Sequence, residues 1–145
     1  MKNYFNEIEF HGWYDLMDPM QLELLNKFRH AWGGPVLVSP LSAGVGRRMG
    51  PDAKSFHNVD RYGVVKATDI MPSNFKTKED FKRGFEIAKD VGFLGIGIYP
   101  DWNPSAGMHV DVGRRAGRFQ GNPAKWSAFK VNGVQTYFPI DKAFQ

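Results

Sequence analysis

Residues 55–72 read SFHNVDRYGVVKATDIMP, and the reading of the chain turns on His57 and Asp69 within that stretch. His57 is one of only four histidines in the sequence. Asp69 lies near the end of a β-branched, apolar run, Val64 to Ile70, which predicts a strand. An imidazole followed at short range by a strand that delivers a carboxylate suits a metal site better than a solvated loop. Between the two, Asp60 and Gly63 suit a turn.

Working outward, Met108-His109-Val110-Asp111-Val112 predicts a second strand. Successive strand residues face opposite sides, so His109 and Asp111 share one face while Met108, Val110 and Val112 point toward a core. Alone, that pattern also fits a surface strand carrying two polar residues. Joined to His57 and Asp69 it gives two histidines and a carboxylate, a common catalytic zinc set whose fourth position is left to water. Asp111 would then orient His109 or a neighbouring imidazole from behind.

The rest of the chain supplies the frame. Asp18-Pro19 starts a helix, with Leu24, Leu25, Phe28 and Trp32 at helical spacing and Gly33-Gly34 as its stop. Val36-Leu37-Val38 reads as a short buried strand, and residues 39–54 as a long loop. Thr77-Lys78-Glu79-Asp80 resembles a capping box, followed by the apolar face of Phe81, Phe85, Ala88 and Val91. Phe93 to Tyr99 is strand-like, its glycines allowing close approach of another backbone. Asn132-Gly133 predicts a hairpin turn within Trp126–Phe138. Helices and strands in this order imply an α+β fold, a small mainly antiparallel sheet with flanking helices, in a single domain over 1–145.

Composition narrows the chemistry. At 145 residues the chain buries one real core. With no cysteine, disulfides, thiolate ligands and a cysteine nucleophile are excluded, so a metal must rest on His, Asp and Glu. The net charge of +4 favours an anionic partner. Neither Arg47-Arg48 nor Arg114-Arg115-Ala116-Gly117-Arg118 is interleaved with aromatics as a base-stacking platform would be, so nucleic acid is not the expected partner. The first residues lack the apolar stretch of a signal peptide, and no window is apolar enough to span a membrane. The expectation is a monomer made in the cytoplasm, without stable membrane insertion.

Four blocks in one order carry a resemblance: Ser55-x-His57, Ala67-x-Asp69-Ile70, Gly95-Ile96-Gly97-Ile98-Tyr99-Pro100, and Met108-His109-Val110-Asp111-Val112-Gly113-Arg114. They resemble the zinc peptidases grouped with D-alanyl-D-alanine carboxypeptidases, phage L-alanyl-D-glutamate endolysins and the murein endopeptidases of hedgehog-type fold. The likeness extends over about residues 35 to 138, Trp126 and Val131-Asn132-Gly133 included. It implies a hedgehog/DD-peptidase-like fold, one Zn2+ held by His57, Asp69 and His109, and hydrolysis of an amide bond in peptidoglycan by a phage-endolysin-like enzyme acting on the cell wall after release. It also implies that Arg47 or Arg48, in the loop before the first ligand, binds a substrate carboxylate. Two departures stand out. The spacing from His57 to Asp69 is longer than in the family, which leaves Asp60 as an alternative ligand. The positions where relatives carry a general base hold Ala106 and Gly107, so Asp101 and then Asp111 are the candidates for that role. The missing base also fits a catalytically silent virion or wall-binding module.

Overall fold

The structure, a computed structural model, describes residues 2–145. In chain order its main elements are α1 (Pro19–Trp32), β1 (Val36–Val38), α2 (Val59–Tyr62), β2 (Ala67–Pro72), α3 (Lys78–Val91), β3 (Gly95–Tyr99), β4 (Gly107–Asp111), β5 (Ala124–Val131) and β6 (Val134–Phe138). The long helices begin and end where local chemistry says they should. Asp18 accepts the Met20 N–H and Pro19 opens α1, while Gly33 closes it in the left-handed region at φ 79°. Thr77 and Asp80 form a reciprocal capping box at the start of α3, and Gly92 ends it.

The six strands form one sheet in the order β1-β2-β4-β3-β5-β6. Every neighbouring pair is antiparallel except β3 with β5, which runs parallel. The chain is thus a mixed α/β protein with a mostly antiparallel sheet. Ile70, Ile96, Ile98, Met108 and Val110 project from one sheet face into a core shared with Leu24, Leu25 and Phe28 of α1 and Phe81, Phe85 and Ala88 of α3. Gln21 is the polar member of that interior. Its amide Nε2 donates to Thr68 Oγ1 at 3.1 Å and to the Val110 carbonyl at 3.0 Å, so one helical side chain grips both β2 and β4. The opposite sheet face is partly covered by the loop that precedes α2.

Three expectations shift. The strand expected over Val64–Ile70 runs instead from Ala67 to Pro72. Val65 is taken up by a bridge to Met17, with its N–H donating to Leu16 O, and Lys66 N–H donates to Phe56 O. Lys66 O still accepts the Val112 N–H at 3.0 Å, but the regular ladder with β4 begins only at Ala67. The turn expected around Asp60 and Gly63 is the short helix α2, capped by Asn58, whose side chain accepts from Asp60 N, and closed by Gly63 at φ 74°. The tail hairpin is longer than expected because β5 extends back to Ala124 to pair with β3. Its turn uses Asn132 at φ 52° and Gly133 at φ 79°, the positive values that a two-residue hairpin turn requires.

Two stability measurements test this frame. Phe28 is fully buried, so Phe28→Ala should cost about 3–5 kcal/mol in urea unfolding. Asp18 ties the start of α1 to Lys66 through a 2.7 Å ion pair. Partial burial pushes its carboxyl up, but the Lys66 ammonium and the backbone N–H groups of Met20 and Gln21 outweigh that and hold it below its ordinary value. A depressed folded pKa means stability present above the unfolded value and lost as pH falls through the folded one. The wild type should therefore lose stability below about pH 4 more steeply than Asp18→Asn, as read from urea midpoints across that range.

Candidate metal centre

One row of cross-strand neighbours builds the site. Asp69 of β2 lies opposite His109 of β4, His109 opposite Gly97 of β3, and Gly97 opposite Trp126 of β5. All four positions face away from the helices. Gly97 leaves the hollow in which the others meet: a Cβ there would run into the Trp126 indole and the Tyr99 ring. Gly95, the next inward position on β3, plays the same part for the Asp111 carboxylate and the Arg115 guanidinium. The two glycines thus make room for side chains, where the sequence suggested room for another backbone.

His57 is brought to this row by the loop between β1 and α2. Arg47 N–H donates to His57 O at 2.9 Å, and Val59 N–H donates to Arg47 O at 3.0 Å, so residues 47 and 57–59 are laced together. The His57 Nδ1–H donates to the Val45 carbonyl at 2.8 Å. A carbonyl can only accept, so Nδ1 carries the hydrogen and Nε2 keeps its lone pair for the site. At His109 the roles are reversed: Nε2–H donates to Asp111 Oδ2 at 2.6 Å, which turns Nδ1 toward Asp69.

The three groups converge on a common point. Asp69 Oδ1 is 3.4 Å from His57 Nε2 and 3.4 Å from His109 Nδ1, and the three ligand atoms all lie within 4.8 Å of one another. A charge-assisted N–H···O bond is about 2.7–2.9 Å. Two ligand atoms held about 2.1 Å from a tetrahedral ion are about 3.4 Å apart. The spacing is therefore that of a coordination edge more than of a hydrogen bond. His57, Asp69 and His109 could hold a metal ion, and the donor set, two imidazoles with their outer nitrogens anchored and one carboxylate, fits it.

Charge is balanced around this point. Burial pushes Asp69 up, but the neighbouring imidazoles of His109 and His57 overcome it and lower its carboxyl to about 2. Burial pulls His109 down, yet Asp111 and Asp69 together raise it to about 9. Asp111 is itself fully buried. Burial pushes it up, but Arg115, bonded at 2.7 Å and 2.8 Å, and His109 hold it well below the usual carboxylate range. Arg115 in turn lies over the Phe56 ring at 4.6 Å and the Trp126 ring at 5.9 Å.

A cleft of about 410 Å³ opens over the cluster, walled by Tyr99, Trp102, Trp126, Gln135 and Tyr137 with Arg47 at its edge. Tyr99 and Trp102 stack at 4.0 Å, and the Trp126 Nε1–H donates to the Tyr99 hydroxyl at 2.9 Å. Burial pushes the Tyr99 phenol well above its ordinary value, so it stays protonated and can donate.

The residues singled out in the sequence separate here. Arg47 lines the cleft, its Nε–H donating to Ala43 O, while its terminal nitrogens make no hydrogen bond among the described residues. Arg48 instead pairs with Asp60 at 3.0 Å. That pairing also takes Asp60 out of contention as a ligand. Asp101 is exposed and accepts the Lys130 N–H at 2.8 Å, and it does not line the cleft. Asp111 has both oxygens committed to His109, Arg115 and Gly113 N–H, so it orients His109 and does not face the cleft as a base would. Gln135, Tyr137, Arg115 and the Val45 carbonyl had no signal in the sequence. Trp126 entered the sequence reading only through the resemblance, and nothing local placed it opposite Gly97.

No family model, curated protein or solved structure matches the chain.

The site makes its own test. His109→Ala should abolish stoichiometric Zn2+ binding in calorimetry, and unchanged stoichiometry and affinity would refute the assignment. Asp111→Asn keeps an acceptor near Nε2 but removes its charge, and should weaken the metal about 10–100-fold.

Proposed function

We propose that the protein is a zinc-dependent peptidase that hydrolyses an amide bond of peptidoglycan, in the manner of a phage endolysin. The observation that carries this reading is the convergence of His57 Nε2, Asp69 Oδ1 and His109 Nδ1 with 3.4 Å edges at the floor of an open, aromatic-walled cleft. The ordered blocks that resemble murein peptidases favour peptidoglycan as the substrate. The bound Zn2+ would supply Lewis acidity at the scissile carbonyl and a water whose pKa is lowered to about 7.

The chain's own residues do the rest. Asp111, neutralised by Arg115, fixes the His109 ring, and the Val45 carbonyl fixes His57. Arg47 presents free guanidinium N–H groups to a substrate carboxylate or to the oxygen that gains charge during attack. Tyr99, neutral and already accepting from Trp126, has its hydroxyl proton available for the same oxygen. Trp102 offers a flat wall against which a peptide or sugar ring can lie.

A second reading has one observation behind it. Asp69 is the only carboxylate among the described residues lining the cleft, so no free carboxylate is within reach of a metal-bound water as its general base. A wall-binding or virion module that keeps the metal without hydrolysis fits that fact.

Digestion separates the two. Purified Gram-negative peptidoglycan treated with zinc-loaded protein should yield new peptide termini by mass spectrometry, absent with metal-stripped protein, and the termini identify the bond. Intact peptidoglycan in the presence of demonstrably zinc-loaded protein refutes the peptidase and leaves the silent module.

A further inference from the structure

Beside the metal centre runs a larger groove of about 1130 Å³ that shares Ser55, His109 and Trp126 with the cleft. Its charged lining is one-sided: Lys54, Arg61, Lys66, Arg114 and Arg115 against Asp18 alone. Two of these cations are spent inside the protein, Lys66 on Asp18 and Arg115 on Asp111. Lys54, Arg61 and Arg114 are exposed and form no ion pair among the described residues. Three unneutralised cations therefore flank one groove that leads to the metal ligands, and they make its field positive.

The aromatic groups of the groove are already occupied. Phe56 is covered by Tyr62 at 4.9 Å and by Arg115, and Trp126 packs against His109 at 5.3 Å and under Arg115. Base stacking, which single-stranded nucleic acid needs from such a groove, has no free ring faces to use. The remaining surface is apolar floor, from Leu94, Val112 and Met20, with cations at the rim. That combination suits an extended peptide whose backbone lies on the floor and whose carboxylates reach the rim.

We propose that this groove binds an acidic peptide segment of the substrate and that Lys54, Arg61 and Arg114 select stem peptides with free carboxylates over amidated ones. The inference rests on the peptidase reading for the identity of the ligand, while the binding itself requires no metal. It adds a specificity that the metal centre alone does not supply: amidation leaves the scissile bond intact but removes the charges that the groove reads. Each exposed carboxylate–cation pair contributes modestly, so two of them amount to about a five- to ten-fold preference at low salt.

The test uses metal-stripped full-length protein, so that no probe is hydrolysed. Binding of N-acetylated L-Ala-γ-D-Glu-L-Lys, with both carboxyls free, is compared with its diamide by calorimetry at low salt. The acid should bind about five- to ten-fold more tightly. The double variant Lys54→Gln/Arg114→Gln should cut the preference to about two-fold, the share left to Arg61, while zinc titrated into the variant still binds at the wild-type stoichiometry. Equal affinities in the wild type, an undiminished preference in the double variant, or no measurable binding of either peptide overturns the proposal. So does a single-stranded oligonucleotide that displaces the acid peptide and loses affinity in the double variant, since the groove would then read phosphates. Failure of zinc-dependent digestion, by contrast, removes the peptidase reading and leaves a measured acid preference standing.

Discussion

The pairing of β2 with β4 is the constraint on which the centre depends. Asp69 and His109 meet because they are opposite in register, and a one-residue slip of either strand would turn its own ligand into the core and bring Thr68 or Val110 out in its place. Gln21 locks that register from beneath, since Thr68 and Val110, the residues it grips, are themselves directly opposite. The clamp has a cost. Gln21 Oε1 is buried without a partner in the protein, and an unsatisfied buried acceptor costs about 1–3 kcal/mol. An apolar residue there would avoid the penalty and would leave the two strands free to choose their alignment by packing alone.

Above the sheet, the same row is organised by charge. Arg115, Asp111, His109 and Asp69 form a line of alternating sign, each member held by the next. In a low-dielectric setting such a line is stable only if every charge has its neighbour. A divalent ion that replaces the Nδ1 proton of His109 raises the total by one positive charge. That surplus favours an anionic group in the cleft, the same preference that the groove beside it expresses through its unpaired cations. A bound metal and the groove would thus pull on the same kind of ligand.

Much of this was legible in the sequence because it rests on local signals. Asp18-Pro19 and Gly33 bounded α1, Asn132-Gly133 set the hairpin, and the alternation through Met108–Val112 put His109 and Asp111 on one face. What escaped was set by partners distant in the chain. Periodicity tells which face a residue takes, but not which strand lies beside it, so the parallel pairing of β3 with β5 and the arrival of Trp126 opposite Gly97 had no local mark. The short helix α2 was hidden for a related reason: Asn58 reads equally well as a turn residue and as a cap. Asp101 looked available because it sits in a loop near the right strand, and only the hairpin that β5 makes shows Lys130 N–H taking its carboxylate.

The three ligands come from residues 57, 69 and 109, twelve and then forty positions apart, and one of them belongs to a loop and not to the sheet. An ion that joins them is a cross-link in all but covalency, closing a long stretch of chain that would otherwise have to be closed by weak contacts alone. Because the unfolded chain cannot gather the three groups, the free energy of binding is added to that of folding. The loop from Ser39 to Asn58 gains an added tie through His57, beside the burial of Val45 in the core and the packing of Phe56 under Arg115. With an ion bound, the lifetime of the protein against proteolysis would become a function of the metal concentration around it.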